Sequence, residues 1–377
     1  MATRRLRGRP ELYTSYESDS ALLNTPSKKV GVAAIVAFAC FGPFFFTDDI
    51  LSLLATAFAA AVGAIGLNLV TGYAGQVSLG HAFFLGVGAF TAATLNGDPA
   101  DTRLVGYGLD MLVWLPAAGI VAALAGLIVS PAAVRLRGLY LAVVTLGLVF
   151  LGLHIFREAD QITGGIGVGR AAGRAEILGY RFDTAGRFLG LDFTEPQKLY
   201  VLTLVILALA AVAGRNLARS KIGRAFAAVR DRDIAAEAIG VDLVRTKALA
   251  FMISSFYAGV AGALLATVIG VIEPGGYNLL LSVEYIAMVL IGGVATISGS
   301  ILGALFITLL PRFTQDLPQN FPLLADLLTG YGFISVDQLR QVLYGVLIVA
   351  FLVFEPRGLY GLWIRFRNYW KGWPFSY

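Results

Sequence analysis

Gln76, Ser78 and His81 stand in GYAGQVSLGH (72–81), between the apolar runs LSLLATAFAAAVGAIGLNLV (51–70) and AFFLGVGAFTAATL (82–95). Glu284 and Tyr285 stand in LLLSVEYIAMVLIGG (279–293). A carboxylate within an apolar segment is costly unless it meets a cation, a donor or water. Glu284 therefore either lines a polar path, where it would attract a solute ammonium group, or pairs within the protein. Counted from the start of its run it lies about 7–8 Å in, which suggests the outer interface. His81 is either a solute contact or a satisfied structural histidine, and Tyr285 shares the run of Glu284. Gln76 and Ser78 read as caps for exposed backbone in a broken helix, or as a plain turn. TGGIGVG (163–169) offers Gly164 and Gly165, whose conformational freedom suits a tight turn at a pore edge or a surface loop.

No catalytic constellation accompanies these groups. The chain has one cysteine, Cys40, and two histidines, His81 and His154, which excludes a cysteine-built metal site and an internal disulfide framework. We expect no catalytic residues and no metal centre. There is no G-x-x-x-x-G-K-[ST] phosphate loop. TGGIGVG and GGVATISGSILG lack the lysine, so the chain is not expected to hydrolyse ATP or to hold a cofactor.

A second kind of chemistry resides in RNLARSKIGRAFAAVRDRDIAAEAIGVDLVRTKALAF (215–251). Ile222, Phe226, Val229, Ile234, Ala238 and Ile239 form an apolar stripe at helical spacing, opposite Arg230, Asp231, Arg232, Asp233 and Glu237. The pattern predicts two short helices turning near Asp231–Asp233, the second stopped by Gly240. Such a stripe needs a cover: either a partner protein or the chain's own bundle.

The elements that carry these groups are membrane segments. The 377 residues are 57% hydrophobic and 14% charged, against about 25% charged in soluble proteins, and the mean hydropathy is +0.76. The fold expected is an all-α polytopic membrane protein of about ten transmembrane or re-entrant helices (8–10). Apolar segments run over 30–46, 50–71, 77–95, 110–135, 138–156, 198–214, 246–272, 279–296, 298–314 and 338–355. With ten spans, the Lys/Arg groups before 30, at 135–137, at 215–247 and after 356 all fall on one side. The positive-inside rule makes that side the cytoplasm, with both termini in it. The opposite side receives 46–49, 96–110, the long region 157–197, 273–278 and 315–337. The net charge of +5 thus marks inner loops and does not indicate nucleic acid. The chain divides into a cytoplasmic tail (1–29), a transmembrane domain (30–356) and a C-terminal cytoplasmic tail (357–377). Ala59, Gly63 and Gly66, and Gly259, Gly262 and Ala266, mark two faces for close helix packing.

SKIGRAFAAVRDRDIAAEAIGVDLVRTKALAFMISSFYAGVAGALLA (220–266) and LNLVTGYAGQVSLGHAFFLGVGAFTAA (67–93) resemble LivM-type permeases of branched-chain amino acid ABC transporters. RGLYLAVVTLG (137–147), TGGIGVG, SVEYIAMVLIGGVATISGSILGA (282–304) and PRGL (356–359) fit the same family in order, so the resemblance covers roughly 30–360. It implies a permease subunit of an ABC importer in the plasma membrane of a prokaryote. It also implies a second, LivH-like permease, two ATPase subunits that bind ATP and magnesium, an extracytoplasmic solute-binding protein and contact with membrane lipid. In ABC importers a loop with an E-A-A-x-x-x-G pattern docks on the ATPase. Aligned on Gly240, this chain has Ala235 and Ala236 but Ile234 where the glutamate stands, with Glu237 nearby. Arg230, Asp231, Ala235, Ala236, Glu237 and Gly240 are the coupling-loop candidates, within 215–247. Branched-chain amino acids are the default solute, and related systems take urea, amides or small carboxylates. An ion-coupled secondary transporter acting alone is the competing class. It leaves the 220–240 stripe unexplained.

Overall fold

The computed structural model describes residues 26–136, 138–188 and 191–320, and of the C-terminal part 342, 345–346, 349–351, 353–355 and 357–372. The expected N-terminal tail up to residue 25, the connection beyond residue 320 and much of the tenth apolar segment lie outside these residues. What is described is a helical membrane bundle. Helices α1 (Pro26–Phe45), α2 (Asp48–Asn68), α3 (His81–Asn96), α4 (Met111–Arg135) and α5 (Leu139–Glu158) follow in order, then the short α6 (Asp160–Thr163). After α7 (Glu195–Arg219) come the short helices α8 (Lys221–Asp231) and α9 (Asp233–Ala238). Then follow α10 (Leu243–Ile269), α11 (Leu279–Gly292), α12 (Ile297–Asn320) and α13 (Gly358–Gly372). Among the described residues, five helices are long and apolar enough to cross a membrane: 48–73, 111–135, 139–158, 195–219 and 243–269. The apolar helices 30–45, 279–292 and 297–312 are shorter. The helix expected over 77–95 begins at His81, because residues 74–80 run as irregular chain.

The boundaries follow from local chemistry. Asp48 and Asp49 occupy the first turn of α2, where a carboxylate meets the positive end of the helix dipole. The Asp110 side chain accepts from the Leu112 N–H to cap α4, and Asp242 accepts from Arg245 N–H to cap α10. Thr194 and Gln197 form a reciprocal capping box at α7.

Helix α10 is the central post. It packs on α2, α3 and α4, and the crossings are made by small residues as their spacing predicted. A Cβ on Gly259 would strike the Ala118 carbonyl of α4 and one on Gly262 the Leu85 carbonyl of α3, while Gly66 of α2 faces Tyr257 and the Ser254 carbonyl. Lipid supplies no hydrophobic drive between helices, so this backbone approach is the main attraction. Gly262→Leu is expected to drive α3 and α10 apart, and the variant should accumulate at less than about a tenth of the wild-type level in membranes. Detergent extraction with size-exclusion chromatography would measure this, and a wild-type yield would show that the crossing tolerates a side chain.

Segments expected on one side of the membrane meet each other. At one end, Thr194 Oγ1 donates to Asp48 Oδ1 at 2.9 Å, and Leu178 N–H donates to Asp110 Oδ2 at 2.6 Å. Here β1 (Arg170–Ala171) pairs antiparallel with β6 (Val271–Ile272). Two further small hairpins pair β2 (Glu176–Ile177) with β3 (Tyr180–Arg181) and β4 (Gly186–Phe188) with β5 (Leu191–Phe193). Arg170 is buried at this end, donating to the carbonyls of Ile162 at 2.9 Å and Val105 at 2.6 Å. Burial lowers its pKa, and Asp101 opposes that shift. At the opposite end the loop 220–242, the break after Tyr73, the break after Gly292 and α13 come together, as described next.

Candidate functional site

The amphipathic loop folds as the hairpin the periodicity predicts. Ser220 caps α8, its Oγ accepting from the N–H groups of Ile222 and Gly223 at 3.1 and 3.4 Å. Arg232 is extended, with φ −157° and ψ 105°, and separates α8 from α9. Gly240 has φ +88° and ends α9. Its N–H donates to the Glu237 carbonyl at 2.9 Å, and Val241 N–H donates to the Ala236 carbonyl at 3.0 Å. These two bonds make a Schellman stop, which needs a residue at ease with positive φ.

The apolar stripe divides between two covers. Phe226 is fully buried and Val229 nearly so, packed on the chain's own bundle, whereas Ile234 is 72% and Ile239 77% exposed. Ala236 is buried, so it supports α9 from beneath, while Ala235, Glu237 and Gly240 face outward. Arg230 turns inward. It pairs with Asp231 at 3.0 Å, and its Nη1 donates to the Gly72 carbonyl at 3.2 Å. Its side chain lies on Gly75, where a Cβ would come within 2.7 Å of Arg230 Cγ and where φ is +69°.

Gly72 and Gly75 belong to the polar interruption of the first apolar half. Helix α2 widens into a π-turn over Leu69–Tyr73. Ala74 N–H then bonds to the Leu69 carbonyl and Gln76 N–H to that of Val70. The chain climbs back into the bundle. Leu79 N–H donates to Thr145 Oγ1 of α5 at 2.9 Å, and Ala82 N–H to Ser282 Oγ of α11 at 3.0 Å. The His81 ring lies 4.8 Å from that of Tyr285, and the Tyr285 ring lies against Gly63, where a Cβ would come within 2.6 Å of it. Gly63 is 15 residues from Asp48 and 10 from Tyr73. At 1.5 Å per residue, His81 thus lies about 22 Å from one end of α2 and about 15 Å from the other. Gln76, Ser78 and His81 are buried in the bundle, while Gly75 and Val77 beside them are exposed. Ser78 bonds to Gly80 N–H at 3.4 Å as a local cap. Gln76 does not cap as expected: among the described residues neither its Oε1 nor its Nε2 has a partner, nor have His81 Nε2 and the Tyr285 hydroxyl.

Glu284 stands in α11 and is partly exposed. The preceding Tyr277 packs against Phe90 of α3 and Phe156 in the last turn of α5, with centroids at 5.5 and 6.1 Å. Ser282, half a turn before Glu284, meets the start of α3 through Ala82. Gly164 and Gly165 lie elsewhere. Both have positive φ, 85° and 80°, and a Cβ on Gly164 would strike the Gly169 carbonyl. TGGIGVG is thus a tight loop beside β1 and β6 at the other end of the bundle. Nearby, a cleft of about 300 Å³ runs between α3 and α5, lined by Phe90, Thr91, Thr94, Phe156 and Thr163 among others.

The side chain that ties this site together is Asn68, which the sequence reading passed over. It is fully buried. Its Nδ2 donates to the Thr296 carbonyl at 2.9 Å and to Ser300 Oγ at 2.7 Å, and its Oδ1 accepts from Ala295 N–H at 2.8 Å. It thereby closes the break between α11 and α12 and fixes it to the π-turn of α2. Thr145 and Ser282 were also missed. The available signal for all three was a lone polar residue in an apolar segment.

A profile described as the permease component of branched-chain amino acid transport systems matches residues 49–352. The high-affinity branched-chain amino acid transport system permease protein LivM of Escherichia coli (strain K12) is 28% identical over 348 residues, 89% of this chain and 76% of that one. The high-affinity branched-chain amino acid transport system permease protein BraD of Pseudomonas aeruginosa is 24% identical over 319 residues, 80% of this chain and 91% of that one. The autoinducer 2 import system permease protein LsrC of Enterobacter sp. (strain 638) is 35% identical, over 31% of this chain and 36% of that one. No solved structure gives a significant match.

Proposed function

The chain belongs to the family of branched-chain amino acid transport permease components, and on that premise we propose that it forms, with a second permease, the path for a small polar solute. It is a multi-pass membrane protein and a transport subunit. Branched-chain amino acids are the solute class that the relatives' names support best. Two ATPases would supply the energy and bind ATP and magnesium, and an extracytoplasmic binding protein would deliver solute near 157–197. Ten crossings with both termini in the cytoplasm agree with the sorting of loop contacts to the two ends of the bundle.

One observation carries the mechanism. The Arg230 side chain links the hairpin that carries the exposed pair Ile234 and Ile239 to the interruption 72–81, through Gly72 and Gly75. An ATPase that grips α9 would move α8 as a rigid lever, and Arg230 would carry that motion to the base of the interruption. Gln76, His81 and Tyr285 would then present their unpartnered polar atoms to the solute, with Glu284 beside them. Buried polar atoms need partners, and a hydrated ammonium or carboxylate group can supply them.

The test is co-purification with the ATPases encoded beside the gene, followed by uptake of labelled leucine in proteoliposomes. ATP-dependent uptake is expected from the assembled complex. Uptake by this chain alone, indifferent to ATP, would overturn the reading. Ile234→Glu with Ile239→Glu should cut ATPase co-purification at least about tenfold and leave the amount of permease in the membrane unchanged. Undiminished co-purification would remove α9 from the docking surface.

A further inference from the structure

The C-terminal segment is not a plain tail. After Glu355 the sequence PRGLYGLWIRFRNYWKGWPFSY contains four cations, eight aromatic residues and no acid, and it holds three of the chain's four tryptophans. Residues 358–372 form α13. Gly358, at φ +63°, turns the chain against the Ile291 carbonyl and Gly293 at the inner end of α11. Arg365 Nη2 closes the corner on the buried Glu355 at 2.9 Å. Leu359 packs on the core. Beyond it the bundle leaves the apolar side of the helix uncovered: Leu362, Trp363, Phe366 and Tyr369 are 45–59% exposed. They fall on one face at helical spacing, with Arg367 and Asn368 on the other. Arg367 Nε is buried without a partner among the described residues.

We propose that α13 is an interfacial helix that lies in the inner leaflet and binds anionic phospholipid headgroups. Three observations select this occupant. The stripe is amphipathic with tryptophan and tyrosine, which favour the headgroup level. The charge is uniformly positive, complementary to an anionic leaflet. The helix leaves the bundle at the end where the cationic loops gather, so the leaflet is already alongside. A docked protein would be expected to find some acid or amide pattern to read, and the segment after Glu355 offers one Asn and no acid. The proposal rests on the membrane placement and orientation in the reading above, not on the solute or the ATPases.

The test uses full-length protein in vesicles of phosphatidylglycerol and phosphatidylcholine brominated high on the acyl chains. Trp114→Phe, Trp370→Phe and Trp373→Phe leave Trp363 as the single emitter. Shallow bromine should quench at least about half of its emission, and aqueous iodide little. Arg357→Gln, Arg367→Gln and Lys371→Gln together should bring quenching by brominated phosphatidylglycerol down to that given by brominated phosphatidylcholine. Arg365 is left intact because it pairs with Glu355. Should the tryptophan variant fail to accumulate, the unaltered protein answers the same question, since Trp114 is sealed in the bundle. Iodide quenching without bromine quenching would overturn the proposal. So would protection of Trp363 from bromine on adding the ATPases, which would make the occupant a protein. Either result leaves the uptake experiment untouched.

Discussion

Asn68→Leu is expected to destabilise the bundle strongly and lower its melting temperature by many degrees. The side chain spans two breaks, and leucine of similar size removes every bond while filling the space. Ala295 N–H, the Thr296 carbonyl and Ser300 Oγ lose their shared partner. Each buried group left unpaired costs about 1–3 kcal/mol, so the loss is roughly 3 kcal/mol or more, a large share of a marginal stability. The Thr296 carbonyl and Ser300 hydroxyl also bond to each other at 3.2 Å, which keeps the estimate at its lower end. Asn68→Asp preserves the acceptor toward Ala295 N–H but turns a carboxylate on the Thr296 carbonyl, and it should be nearly as damaging. Thermal melting of the detergent-solubilised protein measures both. A melting temperature within a degree or two of wild type for Asn68→Leu would show that the α11–α12 break holds itself closed.

Arg230→Ala is expected to do the reverse: a folded, assembled transporter that hydrolyses ATP and moves little solute. Arg230 is partly exposed, so its pair with Asp231 contributes little to stability. The bond to the Gly72 carbonyl is another matter, because it links the hairpin directly to the interruption. Hydrogen bonds to charged groups are worth about 1.5–3 kcal/mol, which corresponds to a loss of coupling on the order of tenfold or more. The readout is solute moved per ATP hydrolysed in proteoliposomes. Uptake and hydrolysis falling together would mean that Arg230 serves docking, and an unchanged ratio would take it out of the transmission. Gly75→Ala is expected to act in the same direction, since it both strains a positive φ and pushes the Arg230 side chain away.

The parts of this molecule that were legible in its sequence are those decided locally. Apolar runs of fixed length and the stop at Gly240 depend on neighbours within a turn or two. The helix ends accordingly fall within a few residues of expectation for most segments. The spread of arginine and lysine foretold which loops would meet. What was not legible depends on groups far apart in the chain. Ile234 and Phe226 belong to one stripe by spacing, yet only the bundle's shape decides that Phe226 is covered and Ile234 left out. That Ser282, half a turn before Glu284, meets the start of α3 depends on a contact 200 residues apart in the chain. Gln76 read as a cap, and the hydroxyl that performs the task at Leu79 comes from Thr145 on another helix. The segment 357–377 reads as a tail, whereas residues 358–372 form the helix α13, anchored by the contact of Arg365 with Glu355.

The reach of Asn68 also has a consequence for biosynthesis. Its partners lie as far as 232 residues downstream. At synthesis rates of about 5–20 residues per second, the α2 amide waits on the order of ten seconds or longer before they exist. During that interval a polar group sits in a helix otherwise built for lipid. The nascent chain must therefore keep α2 among early neighbours, or within the insertion machinery, until α11 and α12 arrive, and the order of insertion becomes part of what the sequence has to encode.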